Sequence, residues 1–470
     1  MGQIDRAMSL ISRRGLLGAL TAAGALTSTC LAGPAAASPR PADRAIADEV
    51  RGEFLHAWNA YRRLAWGHDE LLPLTGSYRE FFAAGHPVGL TIVESLDTLY
   101  LMELDEELDR AVRWCENNLD FDIEARFQVF ETVIRMVGGL LSGYHATGSR
   151  TLLDLARDLA DRLLPAFDSP TGAPYRFVNL RTGEPSGPDN FLAEIGTNIA
   201  EFGELTRLTG DPKYYQASKQ AYQAVVDRRS RLDLLGAAFD VETGAWQDTT
   251  ATLDPPVDSF FEYLWDGWRL FGDQDLLAWY RTLSEAIFRY QRETYGGHLW
   301  FKRVDYATGK SRGRVQSELT SFYAGLLAES GYPRLGARYH DSWTAVARRY
   351  PILPELVDYT TFAALNKGNE LRPEYVDAAF HLWLKTGEEV YRDRAYDYFL
   401  RVKRHQRVAN GYTIARDVTT TPVTLGNLTS AYWFSENMKY YYLMFADSPR
   451  FDYQDNYLTT EGNVLRGIRR

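Results

Sequence analysis

Apolar residues recur three and four positions apart along almost the whole chain, which is typical of helices that bury one face. Short breaks containing Gly, Pro or Asp separate these stretches. The pattern predicts these helices: Ala45–Leu64, Thr91–Glu103, Leu108–Leu119, Val129–His145, Leu152–Leu164, Glu194–Leu208, Pro212–Arg228, Ser259–Phe271, Asp273–Gln291, Ser317–Ser330, Pro333–Tyr350, Glu374–Thr386, Tyr391–Gln406 and Ala431–Phe445.

Several of these helices are paired through a glycine followed by an acidic residue, as in Thr209–Tyr215, Phe271–Leu277 and Thr386–Arg392. We expect the glycine to end one helix and the acid to cap the next. The pairs recur roughly every sixty residues, so residues 45–445 accommodate about seven hairpins. An open solenoid is one possible arrangement, but a closed ring hides both edges. We therefore predict an all-α fold, an (α/α)7 barrel whose inner helices point at a common axis.

The loops between the helix pairs hold the little β structure that the pattern indicates. Ala173–Leu180 and His298–Lys302 are predicted to form short β-hairpins at one mouth of the barrel.

The amino terminus is typical of an export signal. Residues 1–37 carry the twin arginine Arg13 and Arg14, an apolar run and the small residues Ala35–Ala37, which predicts a twin-arginine signal peptide. A polar linker is predicted at 38–44 and a single catalytic domain at 45–470. The apolar run is too short to favour stable membrane insertion over a cleaved signal. We expect a secreted, periplasmic or cell-surface protein.

Composition and charge narrow the class of partner. The chain is 45% hydrophobic and 24% charged, as in ordinary globular proteins, and its net charge is −10. Removing residues 1–37, which hold one acid and three arginines, makes the net charge −12. Such a surface argues against nucleic acid as a partner. With only Cys30 and Cys115, the exported chain has no internal disulfide and no zinc-binding cysteine pattern. We expect a monomer.

Acidic residues occur inside strongly apolar stretches and at helix starts. Glu436 lies within the aromatic helix 431–445, and Glu131 with Arg135, Asp258 and Glu374 each lie near the start of a helix. Burying an unpaired carboxylate costs several kcal/mol, so a cation or hydrogen-bond donors must compensate it. The structural alternatives are an arginine partner for Glu436, a surface ion pair, a helix cap and a first-turn charge.

If separate hairpins bring five or six acids to one barrel mouth, a cation is needed to hold them together. Calcium suits ligands that are all oxygen and tolerates irregular geometry. Thr460 and Glu461, in the loop after the last helix, could reach that mouth.

From about Tyr78 to Gly467 the sequence resembles glycoside hydrolase family 47, the class I α-mannosidases. Nine landmarks in the family's order carry the resemblance: Thr91–Tyr100, Phe130–Arg135 with Gly138–Leu141, Arg162–Tyr175, Ala193–Thr197, Asp258–Leu264, Gly297–Leu299, Leu371–Glu374, Phe434–Tyr440 and Thr460–Glu461.

The resemblance implies an (α/α)7 barrel that hydrolyses terminal α-1,2-linked mannose of mannose-rich glycans with inversion and requires Ca²⁺. It implies that Glu131 is the general acid, that Glu374 is the general base, and that Asp258 is a third acid at the reaction centre. Thr460 would bind calcium through its hydroxyl and carbonyl oxygens. The residues implied to bind the sugar, hold calcium-bound waters or line the pocket are Arg135, His298, Arg372, Asp377, Tyr432, Glu436 and Glu461.

Three positions depart from the family pattern. Asp377 stands where the family usually has the longer Glu, and Gly462–Val464 replaces Ala-His-Pro after Thr460 and Glu461. Pro256 replaces an arginine that restricts branch choice in some members, which predicts a broader tolerance of linkage context.

Alternative functions stay open at this stage. A catalytically weakened glycan-binding protein of the same fold would release no mannose. An epimerase or lyase on an α/α barrel would give an epimer or an unsaturated product, and an open helical scaffold would need no buried acids at helix starts.

Overall fold

The computed structural model of the protein describes residues 41–447 and 449–470. The predicted signal peptide and residues 38–40 of the predicted linker lie outside the described residues. The rest of that linker is helical, because the first helix begins at Pro41 and not at Ala45. The first helix therefore starts four residues earlier than the pattern predicted.

The helices of the described region match the predicted ones within a few residues at each end. They are α1 (Pro41–Leu64), α2 (90–101), α3 (Asp105–Asn118), α4 (129–147), α5 (Arg150–Leu163), α6 (192–209), α7 (Lys213–Val226), α8 (Ser259–Phe271), α9 (Gln274–Tyr290), α10 (318–329), α11 (Pro333–Ala347), α12 (Glu374–Thr386), α13 (Val390–Gln406) and α14 (433–445).

Five of these helices contain an irregular turn. Outside these five helices, a 3₁₀ turn, Leu164–Phe167, follows α5. The segments are Leu90–Glu94 and Leu96–Leu101 in α2, Val129–Glu131, π-helical Thr132–Val137 and Gly138–Thr147 in α4, Leu192–Gly196 and Ile199–Thr209 in α6, 3₁₀-helical Glu318–Phe322 and then Tyr323–Glu329 in α10, and π-helical Trp433–Asn437 and then Met438–Phe445 in α14.

The even-numbered helices form an inner ring and the odd-numbered helices pack outside it. Residues 132–143 of inner helix α4 are all buried, whereas outer helix α5 buries only the face with Leu152, Ala156, Leu159 and Leu163. The last inner helix, α14, contacts the first, α2, so the ring closes. The predicted α/α barrel is confirmed.

Apart from the last two, which follow α14, the short strands lie in the long connections before the inner helices, so they share one end of the barrel with the inner-helix starts, as predicted. In the described part of the chain they form small antiparallel sheets of two or three strands. The strands are β1 (Glu70–Leu72), β2 (Ser77–Arg79), β3 (Arg126–Gln128), β4 (Phe177–Asn179), β5 (Pro185–Ser186), β6 (Asp189–Phe191), β7 (Ala238–Asp240), β8 (Trp246–Asp248), β9 (Thr250–Ala251), β10 (Arg292–Tyr295), β11 (His298–Phe301), β12 (Arg303–Asp305), β13 (Ser311–Gly313), β14 (Val315–Ser317), β15 (Leu356–Asp358), β16 (Ala363–Asn366), β17 (Arg407–Val408), β18 (Gly411–Tyr412), β19 (Ala415–Asp417), β20 (Thr424–Leu425), β21 (Tyr457–Leu458) and β22 (Val464–Arg466).

The predicted glycine stops are present. Gly210, Gly272 and Gly387 each end an inner helix in the left-handed conformation, with φ of 76°, 71° and 68°. Asp273 caps the next helix, with its carboxylate accepting from the N–H groups two and three residues on. The predicted acidic cap of α13 does not form, since the longer side chain of Glu389 accepts a hydrogen bond from Arg392.

The last hairpin, β21–β22, lies inside the inner ring. Arg269 and Arg466 join it to α8, with the Arg269 guanidinium donating to the Asn456 carbonyl oxygen and the Arg466 guanidinium donating to that of Leu270, both at 2.7 Å. Asn463 donates to the Ile134 carbonyl oxygen of α4 at 3.0 Å. The hairpin therefore fills the barrel axis, with its tip toward the mouth.

A buried ion pair fixes this hairpin to two inner helices. Lys439 of α14 and Asp97 of α2 are both fully buried, and their charged groups lie 2.8 Å apart. Lys439 also donates to the Gly462 carbonyl oxygen, and Asp97 accepts from the Val464 N–H at 2.8 Å. This pair joins α2, α14 and the hairpin tip in one hydrogen-bonded unit.

We expect Lys439→Met to lower the free energy of unfolding by about 3 to 5 kcal/mol, because it leaves a buried carboxylate without its cation. Denaturant unfolding measures the loss. Lys310→Met removes an exposed lysine and serves as the control, with a change within about 0.5 kcal/mol. A loss below about 1 kcal/mol for Lys439→Met would contradict the role of the pair.

Candidate active site

A cavity of about 320 Å³ opens among the inner-helix starts. Eight carboxyl side chains line it, against two arginines and one histidine. The carboxyl residues are Glu131, Glu194, Asp258, Glu262, Glu374, Asp377, Glu436 and Glu461. One cavity thus brings together acids from α4, α6, α8, α12, α14 and the hairpin tip, as the sequence predicted.

Arg135, in the π-helical turn of α4, joins three acids from three elements. Its guanidinium donates to Glu131 at 2.7 Å, to Glu94 of α2 at 3.0 Å, and to Glu461 of the hairpin tip. Arg135 is only 8% exposed, so the pair with Glu131 is not the solvated surface pair that was the structural alternative. π-Helical turns occur often at functional sites.

Arg372 is the second arginine of the cavity and is partly buried, and Tyr432 lies between it and Arg135. Its guanidinium donates to Glu355 at 3.0 Å and to Glu370 at 3.1 Å. The ring of Tyr432 lies 5.5 Å from the Arg135 guanidinium and 5.7 Å from that of Arg372. Cation–π contacts of this length hold all three side chains in place.

The cations do not balance the acids, and burial favours the neutral form of several carboxyl groups. Burial raises the pKa of Asp258 to about 7, and it raises the pKa of Glu374 to about 7 against the opposing effect of Arg372. For Glu436 and Glu262, burial and then neighbouring carboxylates raise the pKa well above its ordinary value. The carboxyl groups of the cavity can therefore take up protons or bind a cation near neutral pH.

His381 supplies positive charge beside Asp377. Its Nε2 lies 3.2 Å from Asp377 and its Nδ1 lies 3.3 Å from Glu329. Burial disfavours the imidazolium, but these two carboxylates outweigh it and raise the pKa of His381 to about 10. Asp377 therefore faces a cation one turn along the same helix.

The hairpin tip carries Thr460 into the cavity on a fixed backbone. The Thr459 hydroxyl accepts from the N–H groups of Glu461 and Asn463 at 3.3 and 3.2 Å. Gly462 has φ of +68°, and a Cβ there would lie 3.1 Å from the Ser435 carbonyl oxygen. Gly462 and Asn463, which depart from the family pattern, therefore fit this tip locally.

The donor groups around Thr460 are oxygens, which suits a hard cation such as calcium. Thr460 and Glu262 both line the cavity, and one buried oxygen of Glu374, Oε2, has no hydrogen-bond partner within residues 41–447 and 449–470. In that same region no three His, Cys, Asp or Glu side chains are arranged to hold one metal ion. Any cation here would thus rely on Thr460 and on waters held by the carboxylates.

Of the residues predicted for the site, all but one line the cavity. Asp258 occupies the N-cap position of α8, but its carboxyl lies beside the Ser259 N–H and does not cap the first turn. The exception is His298, which lies on β11 with its ring centre 5.4 Å from that of Phe362. The structure does not bring His298 into the cavity wall.

Several lining residues were not predicted. Glu194 and Glu262 lie at the starts of inner helices, the position that identified Glu131 and Glu374, so the same signal could have found them. His381 follows Asp377 by four residues, which places both on one helix face. Tyr440 and Thr459 gave no local signal, since their positions depend on the fold.

The sequence matches the model of glycosyl hydrolase family 47 over residues 53–467. The chain belongs to glycosyl hydrolase family 47. This confirms the family and the enzyme class, a glycoside hydrolase, that the motifs indicated.

The chain is similar to a mannosyl-oligosaccharide 1,2-alpha-mannosidase of Arabidopsis thaliana, with 33% identity over 457 residues, 92% of this chain and 80% of the relative. The fold matches that of an alpha-1,2-mannosidase from Trichoderma reesei, with a TM-score of 0.82, 24% identity, and coverage of 92% of this chain and 100% of that chain. A cellobiose 2-epimerase from Bacillus thermoamylovorans B4167 shares the fold more distantly, with a TM-score of 0.55, 12% identity, and coverage of 85% and 99%.

The pKa of Asp258 sets a pH dependence of stability in chelator-treated protein. Because the folded-state pKa is raised, the native state binds more protons between about pH 4 and 7, so charging Asp258 costs stability as the pH rises. We expect Asp258→Asn to become more stable relative to the wild type between pH 4.5 and pH 8, by on the order of 2 kcal/mol.

Denaturant unfolding at both pH values measures this difference. Asp211→Asn, which changes an acid whose pKa the Lys213 N–H lowers, should give no such gain at high pH. A stability difference for Asp258→Asn that falls or stays constant with pH would contradict the burial of this carboxyl.

Proposed function

We propose that the protein is an exported, calcium-dependent, inverting exo-α-1,2-mannosidase that acts on mannose-rich glycans. The observation that carries this proposal is the convergence of Glu131, Asp258 and Glu374, from three inner helices, with Thr460 on one cavity. Family membership and the named activity of the Arabidopsis relative support the substrate.

Glu374 is the base that takes a proton from the attacking water. Its pKa of about 7 suits proton transfer near neutral pH, and its side chain lines the cavity, where the attacking water would lie. Glu374 starts α12 and Glu131 starts α4, so they approach the sugar from different hairpins. Inversion needs this separation, because a water must fit between the base and the sugar.

Glu131 and Asp258 act on the leaving oxygen. Glu131 is the general acid and delivers its proton through a water molecule. Asp258, whose pKa burial raises to about 7, retains a proton in part of the molecules at neutral pH. It therefore shares in protonating the departing group.

Thr460 would hold calcium through its hydroxyl and carbonyl oxygens, and Glu436 and Glu461 would accept hydrogen bonds from the waters of the ion. When bound, calcium supplies positive charge for the sugar hydroxyls and the surrounding carboxylates. Arg135, Arg372, Asp377 and Tyr432 bind and orient the terminal mannose. Tyr432 offers an aromatic face and the arginines offer donors for hydroxyl oxygens.

Pro256 lies in the cavity wall, directly before the segment that carries Asp258. A proline there cannot donate hydrogen bonds to a neighbouring glycan branch, so we expect little discrimination between branches.

The described residues contain no helix with the length and apolar character of a membrane span.

Incubation with α-1,2-mannobiose should release mannose in the presence of calcium, and chelation should reduce the rate by at least tenfold in a reversible way. Thr460→Val should require far more calcium for half-maximal rate, whereas Thr250→Val, on a strand outside the cavity, should match the wild type. Detection of free mannose by anion-exchange chromatography measures the rate.

Several outcomes would contradict the proposal. Full activity after thorough chelation would remove calcium from the mechanism. Binding without release of mannose would favour a glycan-binding protein, and an epimerised or unsaturated product would favour another α/α-barrel enzyme.

Inversion predicts that the first mannose released is the β anomer. Proton NMR during the first minutes of the reaction, before mutarotation, identifies the anomer. Initial release of α-mannose would mean retention and would refute the role of Glu374 as a base.

A further inference from the structure

Glu318 is a fully buried acid that the reaction outlined above does not use. It begins α10, where its N–H donates to the Glu355 carbonyl oxygen at 3.0 Å. Neither oxygen of its carboxyl group receives a hydrogen bond from an N–H or O–H donor in the described part of the chain. Glu318 does not line the cavity, and its carboxyl lies beside that of Glu374, because the start of α10 packs against α12.

The groups that face Glu318 give it little positive charge. Glu374 on α12 and Glu355 before α12 present carboxyl groups, while Tyr398 on α13 and Tyr441 on α14 are uncharged. Arg372 is the nearby cation, and its guanidinium is already bound to Glu355 and Glu370. An ionised Glu318 would therefore add a fourth carboxylate, after Glu355, Glu370 and Glu374, around the Arg372 guanidinium.

The backbone holds Glu318 firmly in this position. Asp254, in the connection that leads to Asp258, accepts from the Ser317 N–H at 2.7 Å and from the Thr320 hydroxyl at 2.8 Å. Arg303 donates to the other oxygen of Asp254 at 2.8 Å. The start of α10 cannot swing away to separate the two carboxyl groups.

Two carboxyl groups in contact can hydrogen-bond only if one of them carries a proton, because ionised carboxylates are acceptors alone. Glu318 is the group without solvent contact, whereas Glu374 opens to the cavity and to water. The proton therefore resides on Glu318.

We infer that Glu318 is a positioning residue, whose protonated carboxyl donates a hydrogen bond to Glu374 and holds that carboxylate ready to accept a proton from water. This inference rests on the proposed function, in which Glu374 is the base. The donated hydrogen bond favours the ionised form of Glu374, as charge-assisted bonds do. When Glu374 takes the proton of the attacking water, both carboxyl groups are neutral until one proton returns to solvent.

Two substitutions of Glu318 distinguish the loss of a hydrogen-bond donor from the loss of side-chain volume. Glu318→Gln keeps an N–H donor, and Glu318→Leu keeps the volume but no donor. We expect the acidic limb of the kcat/KM profile to move to higher pH, by about one unit in Glu318→Leu and by less in Glu318→Gln. kcat should fall at least about tenfold in Glu318→Leu, with KM nearly unchanged, since Glu318 does not line the cavity.

The matched control is Glu204→Gln. Glu204 is also a buried acid on an inner helix, but it is bound to Arg207 and His145 and does not line the cavity. Its substitution should lower stability and leave the acidic limb in place. A purely structural role for Glu318 would give that same result.

The direction in which the acidic limb of the kcat/KM profile moves shows whether Glu318 is protonated or ionised. If Glu318 were ionised, removing its negative charge would move the acidic limb to lower pH, and that result, or no shift in either variant, would overturn the inference. A second measurement does not depend on turnover. The infrared difference between the wild type and Glu318→Gln at neutral pH should show the loss of one protonated-carboxyl band.

Absence of that band would also overturn the inference. If the wild type released no mannose, the proposed function would fail, while the infrared result would still show whether Glu318 holds a proton.

Discussion

The hydrogen bonds of one buried guanidinium, Arg135, organise the candidate active site. They join Glu94 of α2, Glu131 of α4 and Glu461 of the axial hairpin. Glu461 lies more than three hundred residues along the chain from the other two acids. Without Arg135 the three carboxyl groups would repel one another in a region from which water is largely excluded.

The cavity has more carboxyl groups than cations, and this excess explains its other features. Arg372 is shared between Glu355 and Glu370, and His381 is held between Asp377 and Glu329. The acids that lack such a partner, Asp258 and Glu374 among them, have raised pKa values. A surplus of buried carboxyl groups is unfavourable for stability but suits proton transfer and the binding of a cation.

The barrel supplies the constraint that makes this crowding possible. Because every inner helix starts at the same end, one acid near each start is enough to line a common cavity. The hairpin in the axis adds Thr460 and Glu461 from the opposite direction, and the buried pair of Asp97 and Lys439 fixes its position. Packing therefore determines where the acids meet, and no local interaction could do so.

The sequence predicted those parts of the fold that local interactions determine. Ser259–Phe271 and Glu374–Thr386 were predicted without error, because an acid or proline marks each start and Gly272 or Gly387 marks each end. The acids at helix starts were predicted for the same reason. The family resemblance then assigned roles that spacing alone left open.

Features that depend on distant contacts were not predicted. The π-helical turn at Thr132–Val137 has its Ile134 carbonyl bound by Asn463, more than three hundred residues away. Glu318 lies in an ordinary apolar helix pattern, and nothing in its neighbours in sequence places it against Glu374. His298 came from the resemblance alone, and the fold leaves it outside the cavity wall.

The most direct test of the whole account is a crystal structure of the Glu374→Gln variant with α-1,2-mannobiose and calcium. We predict one disaccharide with its terminal ring among Glu131, Asp258 and position 374, and an ion on Thr460 beneath that ring. A disaccharide bound outside this cavity, or an ion bound away from Thr460, would contradict it.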